Sequence, residues 1–407
     1  MVTTWRWIWI LILLIGEWLV FRLAVTRCPW PAPSTSLDSN APERVLLIAD
    51  PQVTDAYSYD RQGVLLWLTE FYSDLYMQRS YQHVTRQRQP DKIVILGDLM
   101  DGGREWDDQG FKTQLGRFYK IFNQQTKTLY MSGNHDIGIR DGIQPHIYER
   151  FQQEFGPSSS IHSLAYNHTL VIIDTVTLTN TQPSIRQDAL AILDQIAHTN
   201  KIGQRVLMTH VPLYRPEQTS CGPLRVQSRP FIYQGYGHQY QNLMEHDISQ
   251  AILEQVQPEL VFSGDDHDFC KVTHKYKKDD LLALEYTVPT FSMSQGVRQP
   301  GYMLLQATEQ SLVPQLCWLP DQLGIFIMYG FLAGVTMILS FISHIYSLIV
   351  KRRMKRMKKN DEEQVLDVDS TMTTTSLLYG TVLLTLSDIK EVALVAFPFY
   401  LFCILLL

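Results

Sequence analysis

The sequence has no excess of positive charge. Its 407 residues include 35 Lys and Arg against 41 Asp and Glu, a formal net charge of -6. A nucleic-acid binder carries a basic patch or stripe, and nothing in this balance argues for one. Charged residues are only 19% of the chain, so the composition is not that of a highly charged disordered polymer. Cysteine is rare, at five positions. No internal repeats are visible. The apolar N-terminus lacks a small-residue cleavage site, which argues against a removed signal peptide.

Long apolar runs are present, and they are unevenly spread. WRWIWILILLIGEWLVFRLAV, Trp5 to Val25, matches the roughly 20 residues that span a bilayer. Tryptophans at both ends suit the membrane interface. Arg6 and Arg22 can snorkel from the ends, whereas Glu17 weakens the reading. Asp321 to Val350 is a cleaner span, and it runs into KRRMKRMKK, Lys351 to Lys359. A basic run beside a span marks the cytoplasmic side, so residues 28–320 are expected on the opposite, lumenal or exterior side. Glu391 to Leu407 is again apolar, with LLYGTVLLTL before it and Lys390–Glu391 between. Spanning, re-entrant and interfacial readings of this last stretch all stay open.

The resulting division is a transmembrane anchor (1–27), a Pro- and Ser-rich linker (28–43), a lumenal domain (44–320), a transmembrane helix (321–350), a basic and polar cytoplasmic segment (351–376) and an apolar membrane-associated segment (377–407). Cys28, Cys221, Cys270 and Cys317 fall in the lumenal part. Four cysteines allow three pairings. Disulfides suit that compartment, and four free thiols are the alternative. Asn167-His168-Thr169 is a glycosylation triplet, and weak support for lumenal exposure.

Within 44–320, apolar runs alternate with helical periodicity. RVLLIAD (Arg44–Asp50), KIVILGD (Lys92–Asp98), TLYMSG (Thr128–Gly133), LVIID (Leu170–Asp174), RVLMTH (Arg205–His210) and ELVFSG (Glu259–Gly264) read as strands. Val64–Gln87, Phe111–Phe122, Ser184–His198 and Asp247–Gln257 read as helices. Strand-like segments, including Leu281–Thr287 and Gly301–Gln306, close the domain. The pattern predicts a layered α/β domain with two packed sheets.

Strand after strand ends in a residue able to bind metal: Asp50-Pro51-Gln52, Gly97-Asp98, Gly133-Asn134-His135-Asp136, Thr209-His210 and Gly264-Asp265-Asp266-His267. Ligands in α/β sheets gather at the carboxyl ends of strands. One such ending is an ordinary turn; five together are hard to explain that way. The order resembles the calcineurin-like metallophosphoesterases over roughly Arg44 to His274. ADPQ, GDLMDGGRE, THVPLYRP, CGPLR, GHQYQN and SGDDHDFC are similar to the fungal branch that removes ethanolamine phosphate in glycosylphosphatidylinositol (GPI) anchor remodelling.

The resemblance implies a four-layer α-β-β-α sandwich flanked by transmembrane helices, and a membrane-anchored phosphodiesterase acting in anchored-protein transport from the endoplasmic reticulum. It implies a pair of divalent ions. One is expected on Asp50, Gln52, Asp98 and His267, the other on Asp98, Asn134, His210 and Asp265, with Asp98 shared. Gln52 and Asp265 stand where the broad superfamily has histidine. The oxygen-rich set favours Mn or Mg over Zn, with Mn expected. His135 is the implied general acid or transition-state stabiliser, and Asp136 is expected to orient it, with capping of the following turn as the alternative. Arg104, Arg215, Arg225 and Tyr240 are candidate substrate contacts, surface solvation being the alternative. The implied partners are GPI glycolipid or GPI-anchored protein and membrane lipid, with no nucleic acid. Two other functions fit the same residues: a phosphomonoesterase or protein phosphatase, and a non-catalytic membrane cargo adaptor.

Overall fold

The structure is a computed structural model, and it describes residues 1–31, 41–122, 126–277, 281–361 and 374–406. Most of the expected linker and of the segment Asn360–Thr375 lies outside the described residues. The chain forms two compact units, Phe21–Asp321 and a helical one made of Met1–Val20 with Gln322–Leu407.

At the N-terminus α1 (Val2–Leu14) passes through a π-turn (Ile15–Leu19) into α2 (Val20–Thr26). The α/β unit then begins with β1 (Glu43–Ile48), α3 (Gly63–Arg88), β2 (Lys92–Ile95), α4 (Asp108–Ile121) and β3 (Lys127–Tyr130). It continues through α5 (Asn134–Ile137), α6 (Pro145–Phe155), β4 (Ser160–Ser163), β5 (Thr169–Ile172), α7 (Thr175–Leu178), α8 (Pro183–Ala197) and β6 (Arg205–Met208). A small hairpin, β7 (Tyr236–Gly237) and β8 (Tyr240–Gln241), precedes α9 (His246–Val256) and β9 (Leu260–Ser263). β10 (Cys270–Tyr276), β11 (Leu281–Thr287), β12 (Gly301–Ala307) and β13 (Leu312–Trp318) close the unit.

The strands form a five-stranded sheet, β13-β12-β1-β2-β3, and a six-stranded sheet, β10-β11-β9-β6-β5-β4. Continuous apolar runs such as VLLI and VLM belong in strands buried on both faces. Val45, Leu47 and Ala49 alternate with Leu46 and Ile48, so one set faces the other sheet and one faces outward. The inward set packs with Leu170, Ile172, Val206, Met208 and Phe262 of the second sheet into one core. The outward set is buried as well. On the first sheet Phe118 of α4 rests against Tyr130 of β3, and Tyr81 of α3 packs on Phe122 at the end of α4. On the second, α8 touches β4 and α9 touches β10. The architecture is therefore the expected four-layer α-β-β-α sandwich.

Two disulfides fasten the unit. Cys28–Cys317 joins its first and last segments, and Cys221–Cys270 ties the long loop after β6 to the start of β10. A closure spanning 289 residues is worth on the order of 5–6 kcal/mol through the entropy of the unfolded chain.

In the helical unit, α10 (Gln322–Asp361) and α11 (Thr374–Leu406) complete the set. The segments Val2–Thr26 and Gln322–Met354 are each long and apolar enough to cross a membrane. The sequence suggests a break at Lys390–Glu391, yet α11 is one continuous helix. Its charges have partners: Glu391 meets Arg6 at 2.5 Å, and Asp388 accepts from Ser340 at 2.6 Å and lies 2.8 Å from His344. Glu17, in the π-turn, accepts from Tyr329 at 2.9 Å. Pairing removes the cost of a lone charge among apolar helices.

Candidate metal centre

Five residues of the expected ligand set adopt backbone angles that L-residues rarely use. φ is +46° at Asp50, +35° at Gln52, +50° at Asp98, and +65° at both Asp265 and His267. Each costs of order 1 kcal/mol. The turns aim these side chains back over the ends of the strands rather than onward. Two glycines make room. A Cβ on Gly133 would lie 2.0 Å from Asp98 Oδ1, and one on Gly97 would lie 2.5 Å from His210 Nδ1. Glycine in these two motifs thus follows from the crowding of ligands.

Asp98 sits at the centre. Its Oδ1 accepts the His135 backbone N–H at 2.9 Å and lies 3.4 Å from His210 Nε2. His210 Nδ1 donates to the Leu96 carbonyl at 2.8 Å. That bond holds the ring and turns Nε2 inward, where the neighbouring carboxylates outweigh burial and raise the imidazole to about 9, and a metal would displace its proton. Asn134 Oδ1 is 3.2 Å from the same nitrogen, and Asp265 Oδ1 is 3.6 Å away. The Asn134 amide nitrogen is held by the Gln239 carbonyl at 3.0 Å, so its oxygen points inward. Asp50 Oδ1 accepts the Asp265 backbone N–H at 3.0 Å. Gln52 donates its amide nitrogen to Asp98 Oδ2 at 2.6 Å. Ligation by its Oε1 takes a half-turn of that amide.

The electrostatics ask for a cation. Burial, then the neighbouring carboxylates, drives Asp50 well above the usual carboxylate range. Burial raises Asp265 to about 7. Asp98 is held below its usual value because His210 and His135 outweigh its burial. His267 is lowered by burial to about 4, which keeps its imidazole neutral, the form that binds metal. Asp50 Oδ2 is buried without a hydrogen-bond partner. Asp50, Asp98 and His210 have ligating atoms within 4.8 Å of one another. An orphaned carboxylate oxygen amid crowded acids fits divalent metal, which supplies the missing charge.

His135 lies beside this cluster, and its partner is Asp101. Its Nδ1 is 2.9 Å from Asp101 Oδ1 and 2.8 Å from the Asp101 carbonyl. Burial opposes the charged ring, but Asp98 and Asp101 outweigh it and raise His135 to about 10. The expectation that Asp136 orients His135 is corrected. Asp136 is buried and accepts backbone N–H groups from Leu99, Met100 and Gly133 at 2.9–3.1 Å, locking the Asp98 turn to the Asn134 turn.

The substrate-contact expectations also change. Arg215 is buried, 2.9 Å from Glu285, which lies 2.5 Å from His274. Arg225 forks onto Asp266 at 2.5 and 3.1 Å, with its side chain 3% exposed. Their charges are spent on these pairs, so neither faces a phosphate. Arg104 donates to the Asn134 carbonyl at 2.8 Å and to Glu105 at 3.1 Å, bracing the Asn134–His135 turn. Tyr240 is half exposed on β8, next to Gln239 and at the rim of the site. Two roles escaped the sequence reading. Asp101 stands three residues after Asp98 in GDLMD, and nothing in that spacing named it as the partner of His135. Asp55 holds Gly102 and Trp106 at 3.1 and 2.7 Å, and nothing in PQVTD announced it.

The family description of calcineurin-like phosphoesterases matches residues 43–269. The chain belongs to that family and is a metal-dependent phosphoesterase. Among its relatives, "Cell division control protein 1" of Saccharomyces cerevisiae is 35% identical over 371 residues, covering 84% of this chain and 75% of that protein. The "Metallophosphoesterase 1 homolog" of Caenorhabditis elegans is 25% identical, covering 88% of this chain and 94% of the relative. "Metallophosphoesterase 1" of Mus musculus is 26% identical, covering 81% and 85%.

Proposed function

We propose that the protein is a membrane-anchored, Mn-dependent phosphodiesterase that removes ethanolamine phosphate from a mannose of GPI anchors, with its α/β unit in the lumen of the endoplasmic reticulum. The observation that carries the reading is the convergence of Asp50, Asp98, Asn134, His210 and Asp265 on one buried spot beside His135, in a chain with helices fit to cross a membrane at both ends. Two disulfides support an oxidising compartment. Three carboxylates, two amides and two imidazoles support Mn over Zn.

A divalent pair bound there would neutralise phosphate oxygens and lower the pKa of a water between them. The chain's own residues divide the remaining work. Asp98 offers one oxygen to each side of the centre. Leu96 and Gln239 aim His210 and Asn134. Asp101 occupies His135 Nδ1, so Nε2 is the nitrogen left to give a proton to the leaving sugar oxygen. Because ions on Asp98 would offset its charge, Asp101 is the carboxylate left to hold that proton on the ring.

Mass spectrometry of GPI glycans from cells carrying wild-type, Asp98→Ala or His135→Ala protein tests this reading. Retained ethanolamine phosphate in both variants supports it. Wild-type glycan in both leaves the adaptor reading standing. In a parallel assay of the full chain, hydrolysis of phosphate monoesters but not diesters would support the monoesterase instead.

A further inference from the structure

We infer that the first turn of α3 is a membrane-contact lip that seats in the headgroup region of a zwitterionic lipid bilayer beside the metal centre. Val64, Leu65, Trp67 and Leu68 are 73%, 57%, 58% and 37% exposed. They fall on one side of the helix, at the i, i+1, i+3, i+4 spacing. So dense an exposed apolar patch on a soluble surface marks an interaction site.

The same helix shows what covers it. The stripe runs on through Phe71, which stacks on Trp67 at 5.5 Å, and through the half-buried Tyr72 and Leu75. It reaches Tyr76 and His83, where Phe21 rests at 5.6 and 6.4 Å. Phe21 lies on the last turns of the first apolar helix. Arg88 donates to the Val25 carbonyl at 3.0 Å, and Thr26 to Gln87 at 2.9 Å. Tyr76 also donates to the Pro320 carbonyl at 2.9 Å, just before α10 begins. One helix therefore packs on the end of the first apolar helix, at Phe21, and holds the Pro320 carbonyl, both within the α/β unit. The Phe21 contacts lie about a quarter turn round α3 from the centre of the lip. From Val64 to Tyr76 is about 18 Å along the axis. A helix lying in the interface buries such a stripe.

The occupant is lipid rather than an acidic or basic surface. Trp67 with three aliphatic neighbours is an interfacial set. The flanking charges, Asp60, Arg61 and Glu70, are mixed and form no basic cluster. The lip is also continuous with the site. The segment after Gln52 leads straight into α3. On the way Asp55 holds Gly102 and Trp106, and Tyr57 packs on Trp106 at 4.9 Å. Gly102 adjoins Asp101, the residue that holds His135. The lip itself does not depend on which ester is cleaved. Its use in turnover rests on the lipid-linked substrate proposed above.

The test uses the full chain in phosphatidylcholine nanodiscs, with Cys403→Ser as background. An environment-sensitive fluorophore is placed at Leu65→Cys or, as a control, at Ile202→Cys, where the native residue is 81% exposed. Nitroxide-labelled lipid should quench the Leu65 label and spare the Ile202 label. Equal exposure to water at both positions overturns the lip. A Leu65 label shielded from lipid only when two chains share a disc assigns the patch to a second copy and also overturns it. In the second arm, Val64, Leu65, Trp67 and Leu68 are all replaced by Ser. Turnover of a soluble phosphodiester should hold, while turnover of a lipid-linked phosphodiester in the disc falls about tenfold. Equal loss on both esters contradicts the lip. If the wild type cleaves neither ester, the proposed function fails, and the quenching arm still decides the lip.

Discussion

Around Glu285 the buried charges balance, and around Asp98 they do not. Glu285 faces Arg215 and His274 and accepts from Ser263 at 2.7 Å and the Leu213 backbone at 3.2 Å. Arg215 and His274 overcome the effect of burial and hold it at about 2. At the strand ends, Asp50, Asp98 and Asp265 crowd two imidazoles, two of the acids are pushed up, and Asp50 Oδ2 has no partner. Both clusters lie in the same unit at similar depth. The difference teaches that burial alone does not mark a functional site. What marks it is a charge the fold has gathered without neutralising.

The contrast can be broken from either side. The largest expected effect is at Asp98. Asp98→Ala should lower kcat/KM on a phosphodiester by about a thousandfold or more, measured with the full chain and saturating Mn. Glu285→Gln should leave that constant within a few-fold but destabilise folding by about 3 kcal/mol, since it strands Arg215. Urea unfolding reads this. The sign with pH follows from a depressed acid. Glu285 contributes fully above its ordinary 4.5, and the contribution is lost as pH falls towards about 2. Glu285→Gln should therefore flatten the loss of stability across that window.

Asp101→Asn comes next. It leaves every proposed ligand in place, so metal content should hold while kcat falls about a hundredfold with little change in KM. In a His135→Ala background the same change should add almost nothing, because Asp101 acts through that ring. The smallest effect is at Asp265. Asp265→Asn removes one of the crowded acids, so the metal-free protein should gain about 1–2 kcal/mol while Mn affinity drops. Thermal unfolding with and without chelator reads both. A loss of stability in the metal-free state would put Asp265 in the same class as Glu285.

The strand ends were legible because buried apolar runs stopping at Gly-Asp, Gly-Asn-His or Thr-His are rarely mere turns. The order of those endings carried both the layered fold and the proposed ligands. What escaped depends on distant partners. Arg215 and Arg225 looked like phosphate donors, since nothing near them in sequence names Glu285 or Asp266. Asp136 stands beside His135 in sequence, yet the helical turn after Gly133 swings it towards Leu99 and Met100. The continuity of α11 was hidden for the same reason, as the partner of Glu391 is Arg6, at the other end of the chain.

Metal stoichiometry tests the account most directly. Wild-type full chain loaded with Mn, washed and analysed by mass spectrometry of the metal should carry about two ions per chain, and Asp98→Ala less than one, with activity lost in step. Two ions retained by Asp98→Ala, or full activity in a chain stripped of metal, would contradict it.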